Sequence, residues 1–329
     1  MILRPRFAVL LFVASTVAAA YLPPRHIEAI AADPSNPNTL YVATGSAGVF
    51  KSTDAGAHWR RLPIPVGRIG SLAMDPKHAT TIFAGTWEGL YRSTNGGAEW
   101  KKLDESDSSP VVNIAIAPKQ PSSIYAARIS GISHSSDSGE HWQRVFTEPG
   151  FSNISSVVVD PLDPKLVFAG FLNFDKRPNL YRSTDGGAKW KALSDVGAID
   201  SLVADHSGRI YAATRSGIMR TSDHGESWQP FAASLRNANA VAFFGKTIYV
   251  ARYGDRVDQM PGVYKSGDDG KSWTEVYSFR GGVQNLIRTP AGLYVVLEDR
   301  LFGSTDEREF RRIGREITEA VRTVPLQPL

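Results

Sequence analysis

The sequence predicts an all-β chain, a seven-bladed β-propeller of four-stranded blades with Asp-box turns. Three observations predict it. The first is a box, Ser/Thr-x-Asp-x-Gly-x-x-Trp, clearest at Ser183, Asp185, Gly187 and Trp190. It recurs around Asp54, Asp137, Asp223 and Asp268, in near form around Asn95, and in worn form at Ser304 and Asp306, where no tryptophan follows. The second is the interval between boxes, 38 to 48 residues, the period of a repeat architecture. The third is the content of each repeat, four short apolar runs separated by turn residues.

The box explains itself as a turn. An Asp or Asn side chain closes an Asx-turn by accepting from backbone about two residues on. The glycine takes positive φ without steric cost. The Ser or Thr hydroxyl holds the other side of the loop, and the tryptophan anchors the next strand. Asn95 keeps this geometry and loses the charge. Asp54, Asn95, Asp137, Asp185, Asp223 and Asp268 are therefore assigned structural roles, with no metal and no acid–base duty.

The runs fall in order. Repeat one reads Ile27–Asp33, Leu40–Thr44, Val49–Ser52 and Trp59–Leu62. The same four parts recur through repeat seven, which reads Val283–Thr289, Gly292–Leu297, Leu301–Ser304 and Phe310–Ile313. The span from Ile27 to Ile313 gives about 41 residues per repeat, the size of one four-stranded blade. Residues 21–313 are read as the propeller. Residues 314–329 are a tail in which Glu319-Ala320-Val321 echoes Glu28-Ala29-Ile30. That echo makes the tail a candidate latch strand, with a short helix as the alternative.

Residues 1–20 read as a signal peptide. Arg4 and Arg6 precede the apolar run Phe7–Ala20, which ends in the small residues Ala18-Ala19-Ala20. A secreted or periplasmic location is expected, with no stable membrane insertion after cleavage. The chain of 329 residues has no cysteine, which excludes disulfides and thiol chemistry. The formal net charge is +4, and about +2 without Arg4 and Arg6. Such a weak excess does not indicate a nucleic-acid partner.

Quoted as they stand, Asp33-Pro34 followed by Leu40-Tyr41-Val42-Ala43-Thr44-Gly45, and Tyr181-Arg182-Ser183-Thr184-Asp185-Gly186-Gly187, resemble the Asp-box (BNR) repeat family. The likeness extends to the wider WD40/YVTN/BNR-like group. That group includes sortilin-type domains, xyloglucanase-type glycosidases, sialidases and photosystem II assembly factors of the Ycf48 kind. The resemblance covers essentially the whole mature chain. It implies that the boxes lie on the face away from the binding site. Binding would then fall to the loops joining second and third strands and those joining one blade to the next.

Two second-to-third-strand loops are long: Leu172–Pro178 in blade four and Tyr253–Pro261 in blade six. Arginines gather at the same level: Arg68, Arg128, Arg177, Arg215, Arg236, Arg252, Arg256 and Arg280. Arginine suits bidentate capture of carboxylate or phosphate. With Asp175 and Asp255 nearby, a mutually paired surface network is the competing reading. Trp87 is the one tryptophan outside a box. Its indole either stacks on a sugar or a partner's apolar group, or plugs the channel. The candidate binding residues are Trp87, Asp175, Arg177, Arg215, Arg252, Tyr253, Asp255 and Arg256; of these, Arg177, Arg215, Arg252 and Arg256 are expected to converge off-axis over blade five, with Asp175 and Asp255 as orienting partners.

No residue set is assigned a catalytic role, and no cofactor or metal is expected. The histidines lack metal-site spacing. The reading is a monomeric, non-catalytic propeller that binds a protein partner or a polyhydroxyl or acidic ligand on its loop face. The alternative is a glycoside hydrolase or carbohydrate binder, for which Asp175 with Asp255 or Asp258 is the candidate carboxylate pair.

Overall fold

The computed structural model describes residues 26–66, 68–104, 106–147, 154–173, 178–193, 196–253, 261–279, 281–297 and 300–323. These residues form seven sheets of four antiparallel strands, each sheet built from consecutive strands of the chain. The seven-bladed propeller expected from the repeat is the fold observed. The inner strands are Ile27–Ala32, Ile69–Met74, Val111–Ile116, Ile154–Val159, Ile199–Ala204, Ala238–Phe244 and Asn285–Thr289. Successive inner strands pack side by side, and the first packs on the seventh, closing the ring.

Burial grades outward. The second strand of every blade is the apolar centre; Leu40–Thr44 and Ile210–Thr214 are buried at every residue. Outer strands are short and exposed, as at Arg60–Arg61 and Lys191–Ala192, so their expected extents were too long. Short, charged outer strands discourage edge-to-edge pairing with another chain.

The boxes show how the turn works. Ser183 Oγ donates to Asp185 Oδ1 (2.9 Å) and accepts from the Gly187 amide (2.8 Å). Asp185 Oδ1 accepts from the Lys189 amide at 2.8 Å, four residues on rather than the two expected. The two-residue reach appears only in the worn box, where Asp306 accepts from Arg308. Asn95 makes the same bond to the Glu99 amide at 2.9 Å, so a neutral side chain suffices. Trp190 closes the turn by donating its indole N–H to the Gly187 carbonyl (3.0 Å).

The box glycine also has a packing duty. A Cβ on Gly97 would lie 2.4 Å from Leu62, and one on Gly225 would lie 2.5 Å from Phe168. Both neighbours belong to the preceding blade, so the box is where one blade docks on the last. A basic residue just before the box completes the joint. Arg92 reaches Glu140 (2.5 Å), Arg182 reaches Glu226 (2.7 Å), and Lys265 reaches Glu307 (2.7 Å), each in the following blade's box.

The seam between blades seven and one repeats this scheme. Tyr294 donates to the Ala55 carbonyl in the first box at 3.2 Å, and Ile313 lies against Gly56. The tail differs from the candidate latch strand. Arg315–Thr323 is a helix whose Ile317 and Val321, one turn apart, are fully buried in the core shared by blades one and seven. The i, i+4 apolar spacing outweighs the three-residue echo of the first strand.

Candidate functional site

Backbone hydrogen bonds separate the two faces. On one, box amides bond the turn between first and second strands: Ala55 to Asn38 (2.8 Å), Gly96 to Thr80 (2.8 Å) and Gly186 to Lys165 (2.9 Å). On the other, in blades one, two, three and six, the tip of the second-to-third-strand hairpin bonds the residue entering the inner strand. Gly45 bonds His26 (2.8 Å), Trp87 bonds Arg68 (3.1 Å), Ile129 bonds Pro110 (3.2 Å) and Tyr253 bonds Asn237 (2.9 Å). This second face is the mouth of the ring. It places Trp87, Ile129, Arg215 and Tyr253 at the hairpin tips of blades two, three, five and six.

These tips differ in what they offer. Trp87 is half-buried, with the Arg68 guanidinium laid on its indole 3.6 Å from the ring centre. Ile129 is 43% exposed. Arg215 is exposed, and Tyr253 is half-buried with its ring against Gly282. Arg252 is fully buried. It ends the second strand of blade six, paired with Ala238 and Gly262. The solvent-facing guanidinium expected of it is therefore not found. Arg128, at the matching position of blade three, is also fully buried and pairs with Asp104 (2.9 Å). It is a strut beneath the mouth. Asp175, Arg177, Asp255 and Arg256, with Arg280, lie outside the described residues.

Below the tips, a β-bulge interrupts the inner strand of six blades. The bulged residues are Glu28, Gly70, Val112, Ser155, Asp200 and Asn239. A bulge re-aims one side chain out of the alternation. Two of these carboxyls have pKa values pushed up to about 7, both by burial among the inner strands. Arg68 opposes the shift at Glu28, and Arg215 opposes it at Asp200. The sequence reading missed both acids. The available signal was a charged residue inside an otherwise apolar first strand.

The mouth thus carries two carboxyl–arginine sectors. Glu28, Arg68 and Trp87 occupy blades one and two; Asp200 and Arg215 occupy blade five. Of the arginines expected to converge over blade five, Arg215 is exposed and Arg252 is buried, while Arg177 and Arg256 lie outside the described residues. On the box face, a groove of about 470 Å³ runs between blades five and six, lined by Asp205, Arg209, Phe243 and Lys246 among others. Arg209 there is bound to Asp205 (2.6 Å) and Asp269 (2.8 Å), so its charge is already matched.

A family model described as Sortilin, neurotensin receptor 3 (Sortilin-Vps10) matches residues 88–197. That match spans 110 of the 329 residues. The chain fits the BNR/Vps10-like propeller group. Over 187 residues this chain is 28% identical to xyloglucanase Xgh74A of Acetivibrio thermocellus, covering 51% of this chain and 20% of that enzyme. It therefore spans about a fifth of the curated relative it matches. Among solved structures it resembles the GH74 enzyme of Niastella koreensis (TM-score 0.74, 16% identity), covering 91% of this chain and 54% of that one. It also resembles Ycf48 from Cyanidioschyzon merolae (TM-score 0.63, 17% identity), covering 85% of this chain and 96% of that one. A further neighbour is Ycf48 bound to a D1 peptide (TM-score 0.56, 16% identity), covering 75% of this chain and 82% of that one. At these identities the solved structures speak to fold alone. No helix among the described residues is long and apolar enough to cross a membrane.

Proposed function

We propose that this propeller is an exported, non-catalytic docking ring that holds a protein segment on its loop face. One observation carries the reading: Trp87, with the Arg68 guanidinium on its indole, and exposed Ile129 sit at the hairpin tips of neighbouring blades. Aromatic and arginine side chains are the usual anchors of protein interfaces. The coverage of Ycf48 agrees with it, because the shared unit there is 96% of that chain, and one such propeller holds a peptide. Export rests on the leader-like residues 1–20.

The test is capture of partners by protein recovered from outside the cytoplasm, whose mass should lack the first 20 residues. Trp87→Ala and Arg215→Glu should each weaken the captured complex at least tenfold. Lys189→Glu and Lys271→Glu, on the box face, should leave it unchanged. Loss through the box-face changes alone would reverse the assignment of faces and end the proposal.

A second reading, glycoside hydrolysis, has a specific observation behind it. Carboxyls with pKa values near 7, as at Glu28 and Asp200, suit a general acid at neutral pH. Xyloglucan hydrolysis that disappears in Glu28→Gln or Asp200→Asn would replace docking with this reading.

A further inference from the structure

Glu28 is a carboxylate that the fold positions and does not satisfy. It occupies the bulge of the blade-one inner strand, between buried Ile27 and Ala29. Blades four and six place a donor at this position. Ser155 donates to the Ile199 carbonyl of the next blade at 2.6 Å. Asn239 donates to the next blade's Val283 (2.6 Å) and Gln284 (3.1 Å) carbonyls. In those two blades the position faces acceptors and holds a donor, which an ionised carboxylate is not. Glu28 accordingly has no hydrogen bond or ion pair among the described residues. Arg68 acts on it at a distance, while its guanidinium lies on Trp87. Glu88, next to Trp87 in the same hairpin tip, is exposed.

Resting on the docking reading, we propose that Glu28, with Arg68 and Trp87 near it, receives the ammonium group of a lysine side chain from the bound protein segment. The ammonium supplies the donors that the bulge position lacks. Its slim apolar stem can run along the indole. A compact ammonium fits better than a second guanidinium fork, because Arg68 already covers one indole face.

The probe is N-acetyl-lysine methylamide, titrated into the exported protein carrying ¹⁵N-tryptophan. The Trp87 indole signal is assigned with Trp87→Phe. The Trp87 signal should move with the lysine probe, and binding should weaken at least fivefold with the Nε-acetylated probe and in Glu28→Gln. Glu28→Ser, which copies blade four, should fold normally and also lose the response. Equal response to both probes, or undiminished binding in Glu28→Gln and Glu28→Ser, overturns the proposal. The two readings separate cleanly. Partner capture that needs Trp87 and Arg215 but ignores Glu28 sinks only the lysine site. Lysine binding without any captured partner upholds the site and sinks the docking ring.

Discussion

A serine hydroxyl does more to hold each box than its exposed aspartate does. Ser183 is buried, and its oxygen accepts from the Gly187 and Asp185 amides while donating to Asp185. Removing it strands a buried amide, which costs about 1–3 kcal/mol. Ser183→Ala should lower stability by that amount in chemical denaturation, and an unchanged midpoint would mean that water replaces the hydroxyl. A second residue-scale effect concerns pH. The Glu28 carboxyl is held at about 7 in the folded ring, against about 4.3 in an unfolded chain. The fold thus binds this proton more tightly than the unfolded chain does. The resulting stability is complete below about pH 4 and is lost as pH rises through about 7. Asp200 acts in the same sense. The box carboxyls act oppositely: hydrogen bonds from Ser272 and Ser266 hold Asp268 down to about 2, so its contribution is present above about pH 4 and lost as pH falls toward 2. Melting temperature should therefore peak between about pH 4 and 5 and decline toward pH 8. Glu28→Gln should flatten that decline in part, with Asp200 carrying the rest. A slope identical to that of the unmodified protein would show that Glu28 does not carry it.

At the scale of elements, the C-terminal helix is the most exposed to a single change. Ile317 and Val321 are its two fully buried contacts with the shared core of blades one and seven. Truncating one buried aliphatic side chain typically costs about 2–5 kcal/mol. Ile317→Ala should destabilise the whole protein by that amount, read from equilibrium unfolding. A loss below about 1 kcal/mol would show that the helix only rests on the ring. This helix also marks a limit of legibility. Blades were readable because each box, strand and turn recurs seven times, and a local pattern repeated that often leaves little room for another fold. The tail occurs once, so a three-residue echo competed with its apolar spacing on equal terms. The mouth was readable in part for the same reason. Trp87 stood out as a tryptophan without a box. Arg252 and Arg215 look alike in sequence, yet one ends a strand and is buried, while the other tops a hairpin and is exposed. Neighbouring blades decide that difference, and no local pattern records it. Glu28 was passed over because a bulge, which turns its side chain out of the strand's alternation, leaves no mark in apolar periodicity.

For the whole molecule, the decisive feature is how the ring closes. Every blade takes its four strands from one continuous stretch of chain, so no strand is shared across the seam between blades seven and one. The other six interfaces have the same aromatic-to-box packing and a covalent link besides. At the seam, inner-strand packing, Tyr294 on Ala55, Ile313 on Gly56 and the helix act without a covalent link. The seam is therefore where local opening should begin, since opening elsewhere breaks similar contacts without freeing a chain end. Native-state hydrogen exchange reads this directly. In Ile317→Ala, amides of the buried strands Leu40–Thr44 and Gly292–Leu297 should exchange faster by more than the global loss of stability accounts for. Those of Val167–Phe171 in blade four, on the far side of the ring, should change by the global loss alone. Equal acceleration in all three strands would mean that the ring opens as one unit, and the seam would then be no weaker than the linked interfaces.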